Sequence, residues 1–190
     1  MKTYTVREIM TPLSEYPVVR SEATFHEAVN LLKTTGEGSA NKRMESGDIL
    51  VMDADDRIIG KLNMMDLILG LEEGYRKIGD LNKLTYFGYD PKFIKSIIEK
   101  NQLWEKPLDE ICRKATAISV KELLVHQQKA DHIKADTSLD VAIHQFGMTS
   151  QQSFLVTDNQ DIVGVLRSSD IFDLIHNAFG KCELPARAVS

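Results

Sequence analysis

The chain has 190 residues, of which 43% are hydrophobic and 27% are charged, and its formal net charge is −5. This composition is typical of a globular protein, and the acidic balance argues against a broad DNA-binding surface. The two cysteines exclude a disulfide framework, and no apolar run approaches the ~18 residues that would indicate a membrane span. We therefore expect a soluble, cytoplasmic protein.

The first predicted helix follows Thr24, which forms a capping-box pattern with Glu27. Apolar residues after Thr24 recur at helical spacing, at Phe25, Ala28, Val29 and Leu32. Residues 34–48 are mostly polar, contain three glycines and lack any period, so we expect them to form a loop.

Residues 49–68 read ILVMDADDRIIGKLNMMDLI, which predicts a hairpin followed by a helix. The strands are predicted at Ile49–Met52 and Ile58–Leu62, with an acidic turn between them. The helix is expected to begin at Asn63 or directly after it. Asp66 then lies in the first helical turn, where the helix dipole favours a carboxylate.

Residues 72–117 have no counterpart elsewhere in the chain and are predicted to form a helical insert. Asp90-Pro91 is a helix-start pattern, and Pro107 begins a second turn. Apolar residues form one face of the first of these helices, at Phe93, Ile94, Ile97 and Ile98. Two interpretations stay open: the insert packs on the rest of the chain, or it presents a surface to a partner or a second subunit.

The second half of the chain repeats the first. Residues 154–175 read FLVTDNQDIVGVLRSSDIFDLI, and a helical stripe precedes them at Leu139, Ala142, Ile143 and Phe146. An internal repeat of this length is a strong indicator of fold. We place the first copy at residues 1–71, the second at 118–180 and a C-terminal tail at 181–190.

Each copy has a glycine in its second strand and an aspartate six residues later, at Gly60 and Asp66 and at Gly164 and Asp170. The opening segments also agree, with VREIMTP from residue 6 and VKELL from residue 120. This pattern resembles the CBS domain (cystathionine-β-synthase domain). The resemblance implies an α/β (α+β) fold of two β-α-β-β-α repeats that form a pseudo-two-fold pair, here with a helical insertion.

The resemblance also implies a sensor and not an enzyme. CBS domains occur in pairs that commonly dimerise, and many bind AMP, ADP, ATP or S-adenosylmethionine in clefts between the two repeats. We therefore expect a homodimeric regulatory module that binds an adenosine-containing nucleotide and signals to a non-covalent partner protein. No catalytic residue, metal, required cofactor or nucleic-acid partner is expected. The alternative is a ligand-free interaction or scaffold protein that uses the 72–117 insert and the dimer surface.

In the family motif the aspartate accepts hydrogen bonds from the two ribose hydroxyls, since a carboxylate offers two acceptor oxygens to a vicinal diol. Asp66 and Asp170 match this position. Capping of a helix is the alternative role for each aspartate, and Asn63 with Asp66 has the pattern of a capping pair.

The motif's Thr/Ser position differs in both copies. It is occupied by Asn63, which can still cap a helix, and by Arg167, which cannot. We expect Arg167 to contact a phosphate, with Ser168 beside it at a helix N-terminus that favours anions. Thr11 is a further candidate for ligand contact, and its counterpart Val125 is apolar, so the two sites should not be equivalent.

Overall fold

The computed structural model describes most of the chain, namely residues 4–37, 47–72, 74–75, 91–124, 132–149 and 151–179. It confirms the predicted mixture of helices and sheets. The chain divides into two compact units. The terminal unit comprises Met1–Tyr16 and Lys129–Ser190, and the central unit comprises Pro17–Gln128.

The helices and strands are numbered in chain order. The helices are α1 (Val6–Ile9), α2 (Phe25–Glu37), α3 (Met64–Gly70), α4 (Pro91–Asn101), α5 (Leu108–Ala115), α6 (Val120–Leu123), α7 (Leu139–Met148) and α8 (Ser168–Phe179). The strands are β1 (Thr11–Pro12), β2 (Val18–Arg20), β3 (Asp48–Met52), β4 (Ile58–Asn63), β5 (His132–Lys134), β6 (Ser153–Asp158) and β7 (Asp161–Arg167).

Each unit contains one sheet. In the terminal unit the strand order is β1-β7-β6-β5, and in the central unit it is β2-β3-β4. Both sheets combine a parallel pair, β5 with β6 or β2 with β3, and an antiparallel hairpin, β6 with β7 or β3 with β4. The two units therefore share one strand arrangement, and the terminal unit adds β1 at an edge.

The hairpins of the two repeats agree in register. Gly60 pairs with Val51, and Gly164 pairs with Val156. In both hairpins the register shifts directly after that pair. A β-bulge that recurs at the same place in two copies is a structural feature of the repeat and not a local irregularity. The register thus supports the repeat that the sequence indicates.

Each unit takes its short opening helix from the other repeat. In the terminal unit α1 buries Val6 against residues of the second repeat, among them Phe154 and Leu166. In the central unit α6 buries Val120 against residues of the first repeat, among them Ile49. Each compact unit is therefore built from segments that are distant in sequence.

Equivalent backbone hydrogen bonds hold the opening helix in place in both units. In the terminal unit the N–H of Val6 donates to the carbonyl of Thr137 at 2.9 Å. In the central unit the N–H of Val120 donates to the carbonyl of Ala23 at 2.8 Å. A capping box at the start of each helix satisfies further N–H groups, with Glu8 and Glu122 as the acidic members.

The capping box predicted at Thr24 and Glu27 is confirmed, because Glu27 accepts the N–H of Thr24 at 2.7 Å. The loop predicted for 34–48 is wrong at both ends, since α2 continues to Glu37 and Asp48 begins β3. The Thr34 hydroxyl donates back to the Asn30 carbonyl at 2.9 Å, which gives this polar end of the helix a local partner.

The described part of the insert is helical, and the helix predicted to start at Pro91 is confirmed. Ile111 and Ala115 of α5 are buried, and Ala115 belongs to the core of the central unit. Within the insert, the backbone N–H of Trp104 donates to Glu72 at 3.1 Å, whereas the contact with the rest of the chain is made by α5. Packing on the rest of the chain is therefore the interpretation supported for this part of the insert.

Some expectations lie outside the described residues: the helix cap at Asp90, the residue Val125, the middle of the 34–48 loop and the tail at 181–190. Within the described residues, no helix is both long and apolar enough to cross a membrane. The same residues contain no group of three or more His, Cys, Asp or Glu side chains that could hold a metal ion.

Candidate functional site

The carboxylate of the first repeat lies in a capping box at the junction of β4 and α3. Asn63 is the N-cap, and its side-chain oxygen accepts the backbone N–H of Asp66 at 2.9 Å. In return Asp66 Oδ2 accepts the backbone N–H of Asn63 at 2.8 Å. Both residues are half-buried. The sequence prediction of an Asn63–Asp66 capping pair is confirmed, and Asp66 also keeps part of its surface open to solvent.

In the second repeat the equivalent carboxylate is held by an arginine. Arg167 ends β7, and Asp170 follows in the first turn of α8. Asp170 Oδ2 accepts the backbone N–H of Arg167 at 2.9 Å. The guanidinium Nε lies 3.1 Å from each carboxylate oxygen, and Nη2 donates to Oδ1. The pair thus combines a backbone cap with charge-assisted side-chain hydrogen bonds.

This ion pair is almost completely buried. The side chains of Arg167 and Asp170 are 4% and 6% exposed. Burial disfavours the charged guanidinium, but the hydrogen bond and the charge of Asp170 outweigh it, so the pKa of Arg167 lies above its ordinary value. Arg167 therefore stays protonated, and its charge is balanced inside the protein. The phosphate contact predicted for Arg167 would have to share this guanidinium with Asp170.

The opening segment of the chain completes the surroundings of this pair. Strand β1 runs antiparallel to β7, with Thr11 opposite Val165 and Pro12 opposite Gly164. Arg167 Nη2 lies 3.4 Å from the hydroxyl of Thr11, which is itself buried. The structure thus brings three of the predicted site residues together in the terminal unit.

Gly164 is required by the approach of that segment. A Cβ at Gly164 would lie 2.6 Å from the carbonyl oxygen of Thr11 and 2.9 Å from the sulfur of Met10. A glycine near the end of a strand leaves room for another group to approach the backbone closely. In the terminal unit that room is filled by the protein's own opening strand.

Ser168 is placed apart from these groups. It is exposed, its backbone N–H donates to the carbonyl of Gln152 at 3.0 Å, and its hydroxyl lies 3.4 Å from the Gln152 side-chain oxygen. That N–H, which was expected to favour an anion, therefore already has an internal acceptor.

Apart from Ser168, the predicted site residues thus form one group in each unit. Asn63 and Asp66 meet in the central unit, and Thr11, Arg167 and Asp170 meet in the terminal unit. The sequence analysis missed the role of Gln152 as the partner of Ser168. Nothing in the local sequence indicates it, because the contact depends on where the loop before β6 lies.

The two groups differ in what they offer to a ligand. A carboxylate has about four lone-pair sites. Those of Asp170 are directed at the Arg167 backbone and guanidinium inside the protein, whereas Asp66 is half-buried and reaches the solvent. A vicinal diol needs two acceptor positions on one carboxylate, so Asp66 is the better candidate acceptor.

Comparison with known proteins found a family-model match within the second half of the chain. The family model of the CBS domain matches residues 120–177. A search of curated proteins found no match. The second repeat is therefore similar to a CBS domain, in agreement with the resemblance seen in the sequence.

Similar solved structures identify the fold of the whole chain. The CBS-pair protein CBSX2 from Arabidopsis thaliana is 16% identical, with a TM-score of 0.59, and the match covers 94% of this chain and 99% of that one. A CBS domain-containing protein from Bacillus anthracis is 12% identical, with a TM-score of 0.60 and coverage of 93% and 95%. A putative acetoin utilization protein (AcuB) from Vibrio cholerae is 12% identical, with a TM-score of 0.58 and coverage of 95% and 98%. The chain has the fold of a tandem CBS pair.

Proposed function

We propose that this protein is a regulatory module that binds an adenosine-containing nucleotide, with the Asp66 carboxylate as acceptor for the ribose hydroxyls. AMP, ADP, ATP and S-adenosylmethionine are the candidate ligands. The bound nucleotide favours the conformation that it binds best, and a partner protein responds to that conformation. No chemical step on the ligand is part of this proposal.

The position of Asp66 is the observation that carries the proposal. It lies in the first turn of α3, directly after the strand whose glycine has the same register in both repeats. The backbone N–H of Asn63 donates to the Asp66 carboxylate and holds it in place, and Asp66 is half-buried, so solvent reaches it. Support also comes from the fold, because CBSX2, which shares it, has been solved in complex with AMP.

Isothermal titration with the four candidate ligands tests the proposal, using the wild-type protein, Asp66→Ala and Glu27→Ala. Glu27 is a matched control because it is also the acidic member of a capping box in the central unit. Each variant loses a cap worth about 1 kcal/mol of stability. We expect nucleotide binding to be lost in Asp66→Ala and kept in Glu27→Ala.

Two results would count against the proposal. If Asp66→Ala binds nucleotide as well as the wild-type protein does, the ribose acceptor lies elsewhere. If no candidate ligand binds the folded wild-type protein, Asp66 has only its capping role.

A second candidate function, a ligand-free interaction protein, is favoured by the insert. Its exposed apolar side chains include Phe93, Ile98 and Leu108. Affinity capture with the wild-type protein and with Phe93→Glu/Leu108→Glu separates the two functions. A partner that is lost with these charges, together with the absence of nucleotide binding, would favour the second one.

The homodimer is also a proposal. Ile68 on α3 and Phe172 on α8 stand at equivalent places in the two repeats, and both are exposed apolar side chains. A second subunit that packs on these helices would remove both side chains from water, which favours association. Light scattering of the purified protein measures the subunit number.

A further inference from the structure

The two repeats place different residues at the position before the helix that carries the candidate carboxylate. In the first repeat Asn63 uses its side-chain oxygen to cap α3. In the second repeat Arg167 turns its side chain onto Asp170. The two residues differ in charge as well as size, because Asn63 is neutral and Arg167 is a cation.

The acceptor capacity of Asp170 is used within the protein. Oδ2 accepts the backbone N–H of Arg167 at 2.9 Å and lies 3.1 Å from Nε. Oδ1 lies 3.1 Å from Nε and accepts from Nη2. Three N–H donors, with Nε shared between the two oxygens, thus take most of the roughly four lone-pair sites that a carboxylate has. A ribose diol could bind there only by displacing the guanidinium.

Displacement is unfavourable because of burial. Both side chains are almost completely enclosed, and Arg167 also reaches the buried hydroxyl of Thr11. Removing one member of such a pair leaves the other charge without compensation. The guanidinium is therefore a strong internal competitor for the Asp170 carboxylate.

We propose that Arg167 is the specificity-determining residue of the second repeat: its guanidinium occupies the Asp170 carboxylate and excludes a ribose diol, so that each chain binds one nucleotide, at Asp66. This inference rests on the proposed function, and it adds which of the two repeats binds. It also assigns Arg167 a role as an internal occupant and not as a phosphate ligand.

Calorimetric stoichiometry with AMP as the probe tests this assignment. The wild-type protein should bind one AMP per chain. Arg167→Thr, which restores the motif residue, should bind two. The double variant Asp66→Ala/Arg167→Thr should bind one, at the newly opened carboxylate. The 2′,3′-dideoxy analogue of AMP should not occupy the new site, because it lacks the hydroxyls that Asp170 would accept.

The reciprocal variant Asn63→Arg keeps the test decisive if Arg167→Thr does not fold. This variant places a guanidinium beside Asp66. Positions 63 and 66 are both half-buried, so a longer side chain at 63 can be accommodated better there than in a fully buried site. We expect Asn63→Arg to weaken AMP binding by at least about tenfold, because the diol must then displace a paired cation.

Several outcomes would overturn the inference while the proposed function stands. They are two AMP molecules per wild-type chain, one AMP per chain in folded Arg167→Thr, or unchanged affinity in Asn63→Arg. Weaker AMP binding in Arg167→Thr would identify Arg167 as a phosphate contact. If the wild-type protein binds none of the four candidate ligands, the proposed function fails, and AMP binding gained by Arg167→Thr would still support the internal occupant. No binding in either protein would overturn both.

Discussion

The buried pair of Arg167 and Asp170 determines what the terminal unit can do with its carboxylate. Neither side chain has appreciable access to water, so each charge depends on the other for compensation. The exposed pair of Arg7 and Asp158 in the same unit is different, with side chains 49% and 43% exposed and an N–O distance of 2.7 Å. The two pairs have the same chemistry and differ in burial.

We predict that Asp170→Ala lowers the free energy of unfolding by about 3–5 kcal/mol, since it leaves a buried guanidinium unpaired. Asp158→Ala should cost at most about 1 kcal/mol, because solvent already screens that exposed pair. Urea unfolding measures both changes. The double variant Asp170→Ala/Arg167→Leu should recover part of the loss, because no buried charge remains. Equal losses for Asp170→Ala and Asp158→Ala would contradict this account of the buried pair.

The sequence predicts part of this arrangement at the residue scale. The capping pair of Asn63 and Asp66 follows from residue type and spacing alone. The contact between Arg167 and Thr11 does not, because the two residues are 156 positions apart and meet only through the pairing of β1 with β7. The residue pattern therefore predicts a ligand contact for Arg167, whereas in the structure its charged partner is Asp170 of the same motif.

At the scale of elements, the approach of β1 to β7 depends on Gly164. Helix α7 offers a comparison, because a Cβ at Gly147 would meet nothing within 4 Å. A glycine within a helix that has open space beside it lowers stability, because its backbone loses more conformational entropy on folding than that of alanine. Gly164 is different, since the carbonyl of Thr11 occupies the space that a side chain would need.

We predict opposite effects of alanine at these two glycines. Gly164→Ala should destabilise the protein by about 1–3 kcal/mol, because the added methyl group collides with the carbonyl of Thr11. Gly147→Ala should stabilise it by about 0.5–1 kcal/mol by favouring the helical backbone. Thermal unfolding measures both. A neutral Gly164→Ala would mean that β1 is not held against β7 as the structure has it.

Elements with a strong period or a clear cap are predictable from this sequence. The strands of both hairpins, the start of α3 and the capping box before α2 lie where their patterns predict them. The end of α2 does not, since Thr34 and Thr35 carry no apolar signal and instead bond back to carbonyls of the preceding turn. Hydrogen bonds of this kind give the hydroxyl groups local partners and leave no pattern in hydrophobicity.

At the scale of the whole molecule, the exchange of opening helices determines which segments share a core. Val6 lies in the core of the terminal unit, and Val120 lies in that of the central unit; both are completely buried. The sequence shows the repeat but not this exchange. The opening helix of a repeat carries the same pattern whether it packs on its own repeat or on the other one.

We predict that Val6→Ala and Val120→Ala each cost about 2 kcal/mol, from lost apolar burial and the cavity that remains. Hydrogen exchange measured by mass spectrometry locates the effect. Val6→Ala should raise exchange in residues 132–179, and Val120→Ala should raise it in residues 47–72. If each variant instead loosened the hairpin of its own repeat, the exchange of opening helices would be wrong.

The central claim is that the first-repeat carboxylate binds the ribose of an adenosine-containing nucleotide. The most direct measurement is a calorimetric titration of AMP into the wild-type protein and into the two capping-box variants Asp66→Ala and Glu27→Ala. The account predicts one AMP per wild-type chain, with binding kept in Glu27→Ala and lost in Asp66→Ala. Binding that is equal in the two variants, or no binding of any candidate nucleotide to the folded wild-type protein, would contradict it.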